Sequence, residues 1–343
     1  MVIVLEEKLN QTGYEEIVGF LKREGINFQE IEGKRVLHLT VAREKEDLLS
    51  ALKSFPQVMT VLRTGQDYQL VKTPQTPLEA AGITWGGRKI PIIAGPCALE
   101  DEGQFIALAK RLQELGVQAI RGALYKPRTS PYSYQGIGAK GTATLNRARD
   151  LGLVVVSEVM DNAQLNVLYP VADILQVGSR NMKNYSLLKE LGRQDKPVLL
   201  KRGLSATYRE FLLAAEYLLA EGNQRVILCE RGIRTFETHT RNTLDITAVP
   251  VLKELAGLPV IVDPSHGTGN WRYVPPMAMA AVAAGTDGLM LEVHPDPARA
   301  LSDGCQSLTV DRFSSLLKKL QRVARAVDRE IDGESEVTGY ARD

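Results

Sequence analysis

Apolar positions along the chain follow two regimes. In the first, VIVLE at 2–6 reads as a strand, and the stretch Tyr14–Arg23 puts Ile17, Val18, Phe20 and Leu21 on one helical face. INFQEIEG and RVLHLTVA read as a hairpin around Gly33, with Leu37, Leu39 and Val41 on one face and Val36, His38 and Thr40 on the other. A second helix carries Leu48, Leu49 and Leu52, and VMTVLR closes the unit as a strand. His38, on the alternate face, reads as a solvated or packed histidine rather than a ligand. From Thr64 to Lys89 the pattern lapses, with Pro74, Pro77 and the pair Gly86-Gly87 after Trp85, as expected of a linker and lead-in.

In the second regime a short apolar run, a loop and an amphipathic stretch recur eight times. The runs are PIIAGPC (91–97), AIRGALY (119–125), VVVSEV (154–159), DILQVGS (173–179), PVLLKRG (197–203), VILCERG (226–232), PVIVDPS (259–265) and GLMLEVH (288–294). Without clean alternation, they suit strands buried on both faces. Helical segments such as Gln104–Leu115, Tyr208–Ala220 and Pro276–Ala284 lie between them, and one near Arg312–Ala326 closes the series. Eight such units predict a (β/α)8 TIM barrel over 90–327, followed by a polar tail at 328–343. The βαββαβ order of residues 1–64 resembles the small ferredoxin-like (ACT-like) modules that serve as effector-binding appendages; residues 65–89 then form the linker.

Composition narrows the class. The 42 Lys plus Arg nearly balance the 41 Asp plus Glu, which excludes a globally basic nucleic-acid coat and an acidic tail. Three cysteines argue against a disulfide framework and for a reducing compartment. The longest uncharged stretch, Tyr273–Thr286, is too short to span a bilayer, and MVIVLEEKLN has no basic segment of a signal peptide. A soluble, cytoplasmic protein with neither nucleic-acid nor membrane partner is expected.

In such a barrel the active site lies at the C-terminal ends of the strands. Arg121, Lys126, Arg128, Arg180, Lys201 and Arg231 would share that mouth in a chain of net charge +1. Like charges gathered without an anion repel, so the cluster points to substrates carrying several negative charges, most simply two phosphorylated molecules. A second group comprises Cys97, His266 and Glu292 from neighbouring strands one, seven and eight, with Asp303 from the loop that follows. One thiolate, one imidazole and two carboxylates suit a divalent ion such as Mn, Fe, Co or Zn. Cys229, within strand six, reads as core. The run Gly136–Gly141 spells GxGxxG, but it follows a polar stretch rather than a strand, so a dinucleotide turn is not expected there.

Several long motifs, in order, resemble 3-deoxy-D-arabino-heptulosonate 7-phosphate (DAHP) synthase. They are GPC at 95–97, RGALYKPRTSPYSYQG at 121–136, SEVMD at 157–161, QVGSRN at 176–181, LLKRG at 199–203, CERGIRTFE at 229–237, DPSHGTG at 263–269, LEVH at 291–294 and LSDGCQSL at 301–308. The resemblance covers about residues 90 to 325, and the N-terminal unit resembles the ferredoxin-like regulatory extension of one branch. It implies condensation of phosphoenolpyruvate with erythrose 4-phosphate, the first step of the shikimate pathway, aided by a divalent metal. By motif, Cys97, His266, Glu292 and Asp303 would ligate the metal. Arg180, Lys201 and Arg231, with Arg121 and Lys126 beside them, would hold phosphoenolpyruvate. Arg128 and Thr129 would take erythrose 4-phosphate, Lys126 would donate a proton, and Glu158 would orient a water. Ala98-Leu99 and Leu124-Tyr125 depart from the commoner residues, and neither pair supplies a ligand.

The nearest alternative is 3-deoxy-octulosonate 8-phosphate synthase, which typically shows a KANRT-like motif where this chain has Lys126-Pro127-Arg128-Thr129. A non-catalytic amino-acid-sensing barrel is the other; it should have lost ligands or cations, and none is missing. The module is expected to serve feedback control by Tyr or Phe through subunit contacts in a homo-oligomer, a tetramer or dimer. Cys305, two residues past Asp303, is a candidate oxidation partner for Cys97.

Overall fold

The computed structural model describes residues 1–6, 10–31, 36–40, 46–62, 68–73 and 76–333. The N-terminal module is a four-stranded antiparallel sheet in the order Asn27–Ile31, Val36–Thr40, Val2–Leu5, Val58–Leu62. Helices Gln11–Arg23 and Glu46–Lys53 complete the βαββαβ order. Ile3, Leu5, Ile17, Leu21, Leu37, Leu39 and Leu52 form its own core, and His38 is exposed. Asn10 starts the first helix by accepting the Gly13 N–H. The turn at Gly33, Val41 and the side chain of Leu49 fall outside the described residues.

Eight parallel strands close into a barrel: Ile92–Gly95, Ala119–Arg121, Val154–Val159, Ile174–Val177, Val198–Lys201, Val226–Glu230, Val260–Val262 and Gly288–Glu292. The last strand pairs with the first, Met290 opposite Ile93. All but the first residue of the third strand are buried, which explains why the apolar runs do not alternate. Inside the barrel stand Ile93, Ala119, Val156, Ile174, Leu199, Ile227, Cys229, Ile261 and Met290. Outside it, helices such as Glu102–Glu114, Tyr208–Ala220 and Val310–Ala326 pack their apolar stripes on the strands. Polar caps fix where they start. Asp101 accepts the Gln104 N–H, and Thr207 forms a reciprocal capping box with Glu210.

Much of the stretch read as linker is built into the barrel. Leu78–Ala80 and Ile83–Trp85 pair as a hairpin. Its two-residue turn, Ala81-Gly82, has φ of 53° and 74°, the left-handed pair that a tight hairpin requires. Leu78, Ala80, Ile83 and Trp85 alternate onto one face and continue the interior layer, so they stopper the floor of the barrel. Upstream, the Glu216 carboxylate accepts the N–H groups of Gln69, Leu70 and Val71 and ties this segment to helix Tyr208–Ala220. At the other end, Glu330–Ile331 pairs with Lys89–Ile90, so the start of the segment read as tail is pinned to the barrel. Residues 334–343 lie outside the described residues.

Candidate active site

All six cations singled out in the sequence line one cavity of about 330 Å³ at the C-terminal mouth. Arg121, Lys126, Lys201 and Arg231 are buried, Arg128 is half-buried and Arg180 is exposed at the rim. Adjacent residues on a strand face opposite sides, and this sorts the paired charges of LLKRG and CERG. Arg202 turns away to Glu230 and Asp245, each at 2.8 Å, and stacks on the Tyr208 ring, while Lys201 and Arg231 face the cavity. Thr129 and Ser130 line the same cavity, and Arg128 donates to Ser302 at 3.0 Å.

Lys126 Nζ lies 3.0 Å from Glu158. Burial opposes the ammonium charge, but the facing Glu158 carboxylate helps hold Lys126 protonated above its ordinary range. Space for Glu158 comes from Gly178, where a Cβ would fall 2.0 Å from the carboxylate oxygen.

Cys97, His266, Glu292 and Asp303 converge with one potential ligand atom each, all within 4.8 Å of one another. Cys97 Sγ is 2.9 Å from Asp303 Oδ2 and 3.8 Å from His266 Nε2, which is 3.2 Å from Glu292 Oε1. Each donor is placed by local chain logic. In DPSHGTG, Asp263 is the N-cap, Pro264 opens the helix and Gly269, at φ 70°, ends it after a single turn, so His266 points inward. Ser265 Oγ accepts the Glu292 N–H at 2.9 Å and joins the strand-eight end to that turn. Asp303 has φ 57°, a left-handed conformation that Asp tolerates better than most residues, and Gly304 must follow because a Cβ there would meet the Pro297 carbonyl at 2.2 Å. Gly95 likewise has φ 136° with Arg121 O only 2.5 Å from any added Cβ, which seats the Cys97 loop against strand two.

The donor set fits a divalent ion: a buried, mixed sulfur, nitrogen and oxygen cluster whose outer atoms are already held. His266 Nδ1 is 2.7 Å from Asp263, Gln306 donates to Glu292 Oε2 at 2.6 Å, and Arg241 donates to Asp303 Oδ1 at 3.0 Å. Burial pushes His266 well below its ordinary range, which leaves a neutral imidazole with Nε2 turned to the cluster. Burial also pushes the Cys97 thiol up to about 12, with Glu292 adding to it, and the Glu292 carboxyl up to about 7 against the pull of Arg121. Arg121 is 3.0 Å from Glu292 and 3.8 Å from Cys97, so it lies against the cluster as well as lining the cavity.

Sequence reasoning missed Arg234, Arg241, Asn242 and Gln176, which also line the cavity. The loop after strand six carries the first three; its length, Arg231 to Thr247 without a helix, was the available signal. Cys229 is buried as expected, Cys305 is exposed, and neither is paired. Within the Gly136–Gly141 run, Gly138–Gly141 form a short 3-10 turn, and Gly136, at φ 100°, lies where a Cβ would strike Leu124 O.

Among known proteins, the chain is 40% identical to the phospho-2-dehydro-3-deoxyheptonate aldolase of Thermotoga maritima, over 97% of this chain and all of that one. It is 35% identical to the 2-dehydro-3-deoxyphosphooctonate aldolase of Syntrophotalea carbinolica, over 76% of this chain and 98% of the relative. A crystal structure of the Thermotoga maritima DAHP synthase superposes with a TM-score of 0.77, at 39% identity, covering 96% of this chain and 99% of that one. A profile of the DAHP synthetase I family matches residues 71–329, from the helical turn before the floor hairpin to the end of the barrel. With the cation-lined mouth and the four-donor cluster both inside that span, the chain belongs to the DAHP synthetase I family.

Proposed function

We propose that this protein condenses phosphoenolpyruvate with erythrose 4-phosphate and water to give DAHP and phosphate, the first step of the shikimate pathway. One observation carries the reading: a cavity walled by buried cations opens directly onto a four-donor cluster. Arg180, Lys201 and Arg231 hold the phosphate and carboxylate of phosphoenolpyruvate, with Arg121 at the inner end, and Arg128 and Thr129 take the phosphate of the aldose. Holding two mutually repelling anions in attack geometry is the larger part of the task. A divalent ion on Cys97, His266, Glu292 and Asp303 would supply Lewis acidity toward the aldehyde oxygen.

The methylene carbon of phosphoenolpyruvate attacks the aldehyde carbon, and Lys126 gives its proton to the developing alkoxide. Water, oriented by Glu158, adds to the electron-poor enol carbon. The resulting phosphohemiketal expels inorganic phosphate. Lys126 and Glu158, 3.0 Å apart, are close enough for the proton lost by that water to return to the lysine through the carboxylate.

The test is phosphate release from phosphoenolpyruvate with erythrose 4-phosphate or arabinose 5-phosphate, before and after exhaustive chelation. Turnover with the four-carbon sugar, abolished by chelator and restored by a divalent ion, is expected. Turnover confined to the five-carbon sugar would favour the octulosonate reading. Pro127 in the KPRT motif and the full-length match to the heptonate relative favour the four-carbon sugar.

We further assign the N-terminal module, residues 1–64, to feedback control by Tyr or Phe in a cytoplasmic homo-oligomer. Among the described residues no helix is long and apolar enough to cross a membrane. Tyr132 and Phe236, each 97% exposed on loops of the barrel mouth, support assembly.

A further inference from the structure

One carboxylate serves both halves of the site. Asp263 is fully buried, and its Oδ1 accepts the backbone N–H of His266 at 2.9 Å. Its Oδ2 accepts from two donors at once, Lys201 Nζ and His266 Nδ1. Lys201 is a wall of the anion cavity, whereas His266 Nε2 faces Cys97 and Glu292. Two donors that share one oxygen compete for it.

We propose that Asp263 is a positioning residue that couples the anion-binding Lys201 to the metal-binding His266, so that phosphoenolpyruvate and the divalent ion tighten each other's binding. This rests on the metal and substrate reading above. An ammonium has three N–H donors, and an anion arriving in the cavity draws Lys201 toward itself. The share of Asp263 Oδ2 left to the Nδ1–H of His266 then grows, the imidazole becomes the more electron-rich, and Nε2 becomes the better ligand. Reciprocity requires that the ion raise the affinity for phosphoenolpyruvate by the same factor. Asp263 also fixes which ring nitrogen carries the proton, which keeps Nε2 directed to the cluster.

The experiment is a Mn(II) titration of the full-length protein, free ion read by electron paramagnetic resonance, with and without saturating phosphoenolpyruvate and with no aldose present. In the wild type phosphoenolpyruvate should tighten Mn(II) by about fivefold or more. Asp263→Asn should weaken Mn(II) by about 10- to 100-fold and bring the ratio of dissociation constants with and without phosphoenolpyruvate close to one. Lys201→Met, with phosphoenolpyruvate raised to saturate through Arg180 and Arg231, should also bring the ratio near one, and it decides the matter should Asp263→Asn fail to fold. An undiminished ratio in either folded variant overturns the proposal, because the anion would then act on the ion directly. A wild-type ratio of one overturns it too. Failure of the wild type to bind Mn(II), Co(II) or Zn(II) at all would instead remove the metal assignment, and the coupling with it.

Discussion

A methyl group at position 178 would fall 2.0 Å from a Glu158 oxygen. Gly178→Ala must therefore displace Glu158 from Lys126 while leaving the strand ends in place. We expect kcat to fall by about 10- to 100-fold with a smaller change in the KM for phosphoenolpyruvate, measured by steady-state phosphate release. Metal uptake tests a second residue. Burial holds the Cys97 thiol up to about 12, so ligation must expel its proton, and apparent affinity should rise about tenfold per pH unit above neutrality. Below about 7 the Glu292 carboxyl is protonated as well, so the slope should steepen there. Cys97→Ala should lose affinity and turnover together and flatten the dependence above neutrality; a slope unchanged in the variant would refute the assignment. The cations and donors were legible because residue type at a strand end is itself the signal. Asp263 and Arg241 were not, since their roles arise from partners that meet only on folding.

Single elements show the same division. The one-turn helix Pro264–Thr268 is spelled out by its cap, its proline and its terminal glycine. The floor hairpin was equally written in LEAAGITW, where Leu78, Ala80, Ile83 and Trp85 alternate around Ala81-Gly82, but a two-stranded piece this short reads as irregular beside nearby prolines. What makes it stable is the open end of the barrel beneath it, which sequence periodicity does not report. Trp85 is fully buried in that layer. Trp85→Ala should cost about 3–5 kcal/mol, measured by urea unfolding. A loss below about 1 kcal/mol would show that the hairpin is not a plug.

Among the described residues the module has a buried core of its own, separate from the two of the barrel, one inside the ring of strands and one between strands and helices. The Glu216 carboxylate secures the chain at Gln69–Val71, so a protein beginning at Tyr68 keeps that anchor. It should fold, turn over at a rate within a few-fold of the full chain, and show no response to Tyr or Phe. Inhibition that survives the deletion would move the effector site into the barrel. That eight units close into a barrel was legible from their number and rhythm, whereas how the segment ahead of the barrel is anchored at Gln69–Val71 depends on Glu216, a helix residue with no motif around it.

Because Trp85 and its neighbours seal one end of the barrel, the reaction chamber opens, among the described residues, at the strand ends that carry the cations. Released phosphate must leave past the same arginines that drew the enol phosphate in. Inorganic phosphate should accordingly compete with phosphoenolpyruvate, raising its apparent KM and leaving kcat unchanged, and at high phosphate the enzyme would be slowed by traffic through its own entrance rather than by chemistry.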